Sequence, residues 1–560
     1  MFEKPQTVVM TWDRRSLLIA AATGLAGCTT WPEIRQWDVA SGLAPYNDAH
    51  AHMFNASDLP VVKFLDHVFI REKIGELGPA AQGLIDLFIG VIKPLSISVD
   101  RENRAYRTLR EDSLEVTPDQ FADAATMRTM EAVGNLALDS DPGKQALAQG
   151  LLDLASRIVA QYGGGQRFID IMATGDPRSL LRASYKALAE EALADTALAN
   201  AAMGLDSGSP PVVDAAIRAL KWGVLMMQSR TSHLKRYLER QTPVTSRPVT
   251  IVNLLVDYDR WLNDGPLAAS SHEKQIAFWS RVRSHYQKSA DLRTFAGFCP
   301  LKEAYSRLGG GTSTHLKDLQ AAFERGQIAG LKLYPPMGFR AIGNADRYWP
   351  DDFIAPDGVK DQIVVDWRRA AGSTAPLGPA LDAALRDAYR WASANRIPIL
   401  AHAGPSNAPG EGFEKNANPL YWTEVAREFP DLKIALGHFV FDAKKFVHDM
   451  EADSPNSSLW ALQATRDLIR DKNGKQSNVF VDLAYTEELL TDEAVATDLP
   501  KRFFHQLKRY CLGDDTNKPD PDMSQILFGS DWIMLGMEPR HHDYLQILTK
   551  GMVAGGWTSL

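Results

Sequence analysis

The 560-residue chain lacks most of the features that would place it quickly. It has three cysteines, Cys28, Cys299 and Cys511, with no CxxC pair and no zinc-finger spacing, so no disulfide framework is implied. A single bridge between Cys299 and Cys511 stays open for an oxidising compartment. No block of Lys or Arg stands out in a chain of net charge −8, so nucleic acid is not an expected partner. Long apolar runs are missing too. Beyond the N-terminal segment, residues 83–97 are apolar, but Asp86, Lys93 and Pro94 interrupt them, which argues against a membrane span. What is present is ordinary for a globular protein, 45% hydrophobic and 23% charged, and long enough for one enlarged barrel or for two to three domains.

The N-terminus carries its own signal. Arg14-Arg15-Ser16-Leu17-Leu18 opens a short apolar stretch that ends in Leu25-Ala26-Gly27-Cys28. Basic residues, a short apolar segment and then small residues describe an export signal. The first part resembles a twin-arginine signal, the second a bacterial lipobox with Cys28 as the lipidated residue. Residues 1–28 are therefore read as a signal peptide with lipobox, against the plainer alternative of a buried apolar helix. The mature protein is expected to be exported, periplasmic, and tied to a bacterial membrane only through the lipid on Cys28.

Two rhythms follow. Residues 56–245 are rich in Ala and Leu at helical spacing, with helix starts at Thr117-Pro118, Asp176-Pro177 and Pro210-Pro211. From about 248, short apolar or β-branched runs alternate with helical segments. The predicted strands are Val249–Val256, Leu292–Phe298, Ile328–Tyr334, Ile397–His402, Lys433–His438, Val479–Leu483 and Gln525–Phe528. Helices over 315–326, 379–395 and 420–428 lead into the third, fourth and fifth of them. Such alternation implies βαβ units and a parallel sheet. With a short strand near 44–49 the count reaches eight, the number of a closed (β/α)8 TIM barrel. The fold expected is thus α/β: a barrel from 44–55 and 246–560, with 56–245 as a large helical insertion after strand 1. The insertion's apolar helices call for a covering surface, either the barrel wall or a second subunit in a homo-oligomer.

Active sites of such barrels lie at the C-terminal ends of the strands. Strand 1 ends in His50-Ala51-His52, strand 4 carries Lys332, strand 5 ends in His402, strand 6 in His438, and strand 8 leads to Asp531. Residues at i and i+2 of a strand share a face, so His50 and His52 can grip one ion. Alone the pair says little: 13 His in the chain give roughly 0.3 such pairs by chance. Any one residue also has a plain structural reading, as a core histidine, a helix cap or a solvated lysine. Their recurrence on separate strand ends points instead to a metal site, since imidazole and carboxylate suit Zn2+ or another divalent ion.

These residues, with Gly437-His438 and Leu527-Phe528-Gly529-Ser530-Asp531-Trp532, resemble the amidohydrolase superfamily and its amidohydrolase-related branch. The resemblance covers 44–54 and roughly 248–540. It implies that His50, His52, His402 and Asp531 bind the metal. Asp531 would also take a proton from the attacking water, and His438 would orient water or polarise the substrate. Gly330-Leu331-Lys332-Leu333-Tyr334-Pro335 resembles the strand-4 segment of binuclear members, in which a carboxylated Lys bridges two ions. One ion or two both remain open; in the binuclear version Lys332 and His438 join the ligands. One departure is clear. Phe54 stands where dihydroorotase-like members place an Arg, which argues against dihydroorotate. Arg340, Tyr334, Asn55 and Trp532 are the candidate substrate-binding residues. The reaction expected is hydrolysis of a C–N or C–O bond in a small organic substrate by metal-activated water. A metal-dependent decarboxylase of the same family is the alternative, and a non-catalytic ligand-binding lipoprotein the third reading.

Overall fold

The computed structural model describes residues 47–60, 96–112, 222, 225–241, 249–262, 269–286, 290–309, 313–346, 359–372, 376–404, 406, 413–439, 442–452, 477–512, 525–538 and 540–557. The signal segment, Cys28 and the three helix starts named for the insertion lie outside these residues. No described helix is long and apolar enough to cross a membrane.

Eight parallel strands pair in chain order: β1 (Asn47–Ala51), β2 (Val249–Leu254), β3 (Ala290–Gly297), β4 (Gly330–Leu333), β5 (Ile399–His402), β6 (Ile434–Gly437), β7 (Val479–Asp482) and β8 (Ile526–Leu527). β8 is two residues long, and the chain beyond it closes the ring. Ala49 N donates to Phe528 O at 2.9 Å, Asp531 N to His50 O at 2.7 Å, and His52 N to Trp532 O at 3.3 Å. An isolated parallel bridge joins Ala51 to Trp532. The fold is a (β/α)8 barrel.

Helices follow the strands as the periodicity predicts. In Leu377–Ala394, Leu381, Ala384, Leu385, Ala388 and Ala392 are buried, a stripe at helical spacing facing the core. His315–Glu324 starts at Thr314, whose hydroxyl accepts from Lys317 N. The helix after β8 is Tyr544–Ala554, and Trp557 beyond it donates its indole N–H to Phe504 O at 2.8 Å. Along each strand alternate residues share a face. Leu400 therefore lies a layer below His402, and Gly330 a layer below Lys332. Leu254, Phe295 and Leu400 form an apolar cluster apart from the main core, with Val252 and Ala435 against it. This floor keeps the polar groups at the strand ends.

The two cysteines in described segments are free and buried, so the bridge left open between Cys299 and Cys511 is not formed. Each is committed to its own element. Cys299 Sγ accepts from Lys302 N at the start of the helix Pro300–Leu308, and Cys511 sits in Leu499–Leu512. Of the insertion, the helices Val99–Asp112 and Arg230–Gln241 are described. They are tied to the chain after β1 by Arg230, fully buried, which donates to both carboxylate oxygens of Asp58 (2.8 and 2.5 Å) and to Glu102 (2.5 Å).

Candidate metal centre

His50, His52 and Asp531 meet at the seam between β1 and β8. Asp531 Oδ1 lies 3.7 Å from His50 Nε2 and 3.5 Å from His52 Nε2. The three offer ligand atoms all within 4.8 Å of one another, and all three are buried. The backbone is strained to place them: Asp531 has φ +51° and His438 φ +61°, the left-handed region that non-glycine residues avoid. Two glycines make room. A Cβ on Gly437 would stand 2.9 Å from His50 Cε1, and one on Gly529 2.7 Å from His50 Cβ.

Hydrogen bonds fix the imidazoles of His50, His52 and His438. His52 Nδ1 lies 2.8 Å from Leu254 O and His438 Nδ1 3.0 Å from Ala484 O. A carbonyl only accepts, so both Nδ1 atoms carry the proton and both Nε2 atoms present a lone pair. His50 Nδ1 donates to Asp482 Oδ2 at 2.8 Å, with both side chains fully buried. Asp482 Oδ1 in turn accepts from the backbone N–H of His438 (2.9 Å) and Ala484 (3.1 Å). Carboxylate or carbonyl behind, lone pair in front, is the arrangement that orients a histidine toward a metal.

Charge follows burial. Desolvation, then Lys332, pushes His50 and His52 well below the usual histidine range, and burial, then His438, does the same to His402. Burial takes His438 down to about 4. Burial raises Asp531 to about 7 against the pull of Lys332, and lowers Lys332 to about 8. The imidazoles are thus neutral at neutral pH, the state in which they bind metal.

Lys332 and the remaining histidines stand close by. Lys332 Nζ is 3.4 Å from His50 Nε2. The His438 ring is 4.8 Å from that of His50 and 4.5 Å from that of His402, which lies 4.6 Å from the Tyr334 ring. His402 is outside the close group of three. β5 lies across the barrel from the seam, and the His402 side chain packs between His438 and Tyr334. Its Nε2 is buried without a hydrogen-bond partner.

The donors fit a zinc-like ion. Two ligand atoms each about 2.1 Å from an ion in a tetrahedral array lie about 3.4 Å apart, close to the separations of Asp531 Oδ1 from the two Nε2 atoms. Tyr334 lines a small cavity, about 10 Å³, with Lys332, Asp257, Trp261, Phe298 and Cys299. That is room for one water-sized group. Burial pushes the Asp257 carboxyl up, but Lys302 at 3.0 Å, helped by His272 and His315, holds it at about 2.

No protein-family model and no curated protein matches the chain. Among solved structures, a protein from Lactobacillus casei ATCC 334 that carries the name of a metal-dependent hydrolase is similar, at 13% identity and a TM-score of 0.30. The match covers 67% of this chain and 81% of that one. A likeness at that level lends no weight to the site.

Two residues placed in the substrate pocket from sequence belong elsewhere. Asn55 is fully buried and spends its amide on the Ile97 and Gln228 carbonyls (2.9 Å each), while its oxygen accepts from Ser57 N and Oγ. It ties two stretches of the insertion to the end of the first strand's loop. Trp532 is buried at the seam and donates Nε1 to His233 O at 3.2 Å. Arg340, half-buried after β4, lies over the Tyr421 ring at 4.6 Å. Phe54 is buried edge-on to His52, 5.7 Å between rings, so this position packs the histidine and does not offer a cation. Sequence reasoning missed Asp482 and Asp48. The first ends β7, and the second begins the Asp48-Ala49-His50 stretch; a survey of carboxylates at strand ends would have caught Asp482.

Proposed function

We propose that the chain is a metal-dependent hydrolase of amidohydrolase type, acting on a C–N or C–O bond of a small organic substrate. The observation that carries this is the common orientation of His50, His52 and His438. Each gives its Nδ1 proton to a fixed acceptor behind it and turns an Nε2 lone pair toward Asp531 or the neighbouring rings. A divalent ion held by His50, His52 and Asp531 would acidify a water and polarise a carbonyl. Asp531, a buried carboxylate beside both imidazoles, would take the proton of that water and return it to a leaving group. His438 presents an acceptor to orient a water or a substrate N–H or O–H. Lys332 supplies a buried cation for an anionic group on the substrate. Tyr334, whose hydroxyl is 2.6 Å from Ser406 Oγ, walls the same side.

A second reading has two ions, with His402 and His438 holding the second and a carboxylated Lys332 between. The exclusion of His402 from the close group and its packing on His438 favour it. Zinc-loaded protein is tested on amides, esters and lactones in H2(18)O, with metal counted by inductively coupled plasma mass spectrometry. Turnover with water-derived oxygen in the product, lost in His52→Ala together with the metal, supports the hydrolase. Carbon dioxide release without label transfers the site to a decarboxylase. Wild-type protein that retains no divalent ion sinks both. One equivalent at full activity excludes the second ion. Export and lipidation at Cys28 complete the proposal, and the mass of the mature N-terminus tests them.

A further inference from the structure

The helix Arg230–Gln241 reaches the metal centre, although it belongs to no strand-and-helix unit of the barrel. Tyr237 donates its hydroxyl to Asp48 Oδ2 at 2.7 Å. The same oxygen accepts from Ser530 Oγ at 2.5 Å. Asp48 Oδ1 accepts from the backbone N–H of His50 (2.9 Å) and of Ser530 (3.1 Å). One fully buried carboxylate thus takes four hydrogen bonds from three elements. It holds the residue two before His52 and the residue just before Asp531. One turn earlier on the same helix, His233 O accepts from Trp532 Nε1, just after Asp531. Ser530 Oγ also accepts from Trp532 N at 3.1 Å. The helix therefore grips the chain on both sides of Asp531, whose left-handed backbone needs such support.

We propose that Tyr237 is a positioning residue of the metal centre: the insertion completes the barrel's site by fixing Asp48, and through it His50 and Asp531. This rests on the metal reading above. The role is separable from simple packing, because the Tyr237 ring also packs edge-on against Trp532, 5.8 Å between centroids, and Tyr237→Phe keeps that contact. Losing the hydroxyl leaves a buried carboxylate short of one donor and frees it to swing toward Ser530.

The test measures zinc affinity by chelator competition at pH 7.5 on full-length protein, with the melting temperature of metal-free protein alongside. Tyr237→Phe is expected to weaken zinc binding tenfold or more, within the 10–100-fold range for supporting partners of metal ligands. Metal-free melting should shift little by comparison. A second cycle uses Asp48→Asn, or Asp48→Ala if that variant does not fold. Because Tyr237 acts through Asp48, adding Tyr237→Phe to either variant should cost no further affinity. Zinc affinity in Tyr237→Phe within twofold of wild type overturns the proposal, as does a fully additive double variant. Wild-type protein that binds no zinc overturns the metal reading itself and this inference with it.

Discussion

Replacing Asp482 by Asn separates the metal role of this carboxylate from any role in stability, because the two change in opposite directions. Asp482 Oδ2 is 2.8 Å from His50 Nδ1, and Oδ1 accepts from two backbone N–H groups. An Asn keeps the shape. Its oxygen takes over the two backbone bonds, so its NH2 faces Nδ1 and donates to it. The imidazole proton must then move to Nε2, the atom that faces Asp531, and a protonated nitrogen cannot bind an ion. Loss of such a partner costs about 10–100-fold in metal affinity, or about 1.4–2.8 kcal/mol. Burial disfavours the ionised Asp482, so the metal-free variant should be no less stable than wild type. Zinc affinity from chelator competition and metal-free melting by calorimetry read the two effects. A zinc Kd within threefold of wild type would falsify the tautomer argument, whatever the melting shows.

Three further outcomes are expected. Gly529→Ala places a methyl 2.7 Å from His50 Cβ and 2.9 Å from Ala484 Cβ, so zinc affinity and metal-free melting should both fall, by about 1–3 kcal/mol of stability in urea titrations. Lys332→Met removes a buried cation 3.4 Å from His50 Nε2; turnover should drop, while zinc stays at one equivalent and binds no more weakly, and loss of an equivalent would instead mark a bridging lysine. His315 is held neutral down to about 3 by burial, against an unfolded value near 6.5. Between pH 6 and 4 its unfolded form takes up a proton that the folded form does not, so it drains stability as pH falls. The slope of unfolding free energy against pH should be shallower in His315→Gln by about 1.4 kcal/mol per unit, and an unchanged slope would show that the buried imidazole does not titrate this way.

Much of the barrel was legible because parallel strands buried on both faces read as short apolar runs, and the helices between them keep their own period. Val479–Leu483 and Gln525–Phe528 fall on the observed strands within a residue or two. Strand ends then give the mouth, which is why His50, His52, Lys332, His438 and Asp531 come together. Depth within the mouth was not legible. His402 ends a strand as predicted, yet stands outside the close group, because a strand end fixes the rim and leaves the angle around it open. Nearness in sequence also misled. Asn55 and Trp532 lie within a few residues of ligands, but the chain turns them into the seam and the insertion. Tyr237 could not be read at all: its hydroxyl meets Asp48 across 189 residues, and no local pattern encodes that meeting.

The brevity of β8 has a consequence for how the molecule comes into being. The ring is shut by the segment that carries Asp531, and Asp48 waits 482 residues for Ser530. Within the barrel, a chain leaving the ribosome makes His50 and His52 with the first strand and Asp531 only after the eighth. Until then the first strand has an open edge, and a captured ion would have only two of its three ligands from the seam. Loading is therefore coupled to closure of this seam, and an ion held there would act as a clasp across it. Opening of that seam, followed by hydrogen exchange at the amides of Ala49, His52 and Asp531, should be the first motion that zinc suppresses.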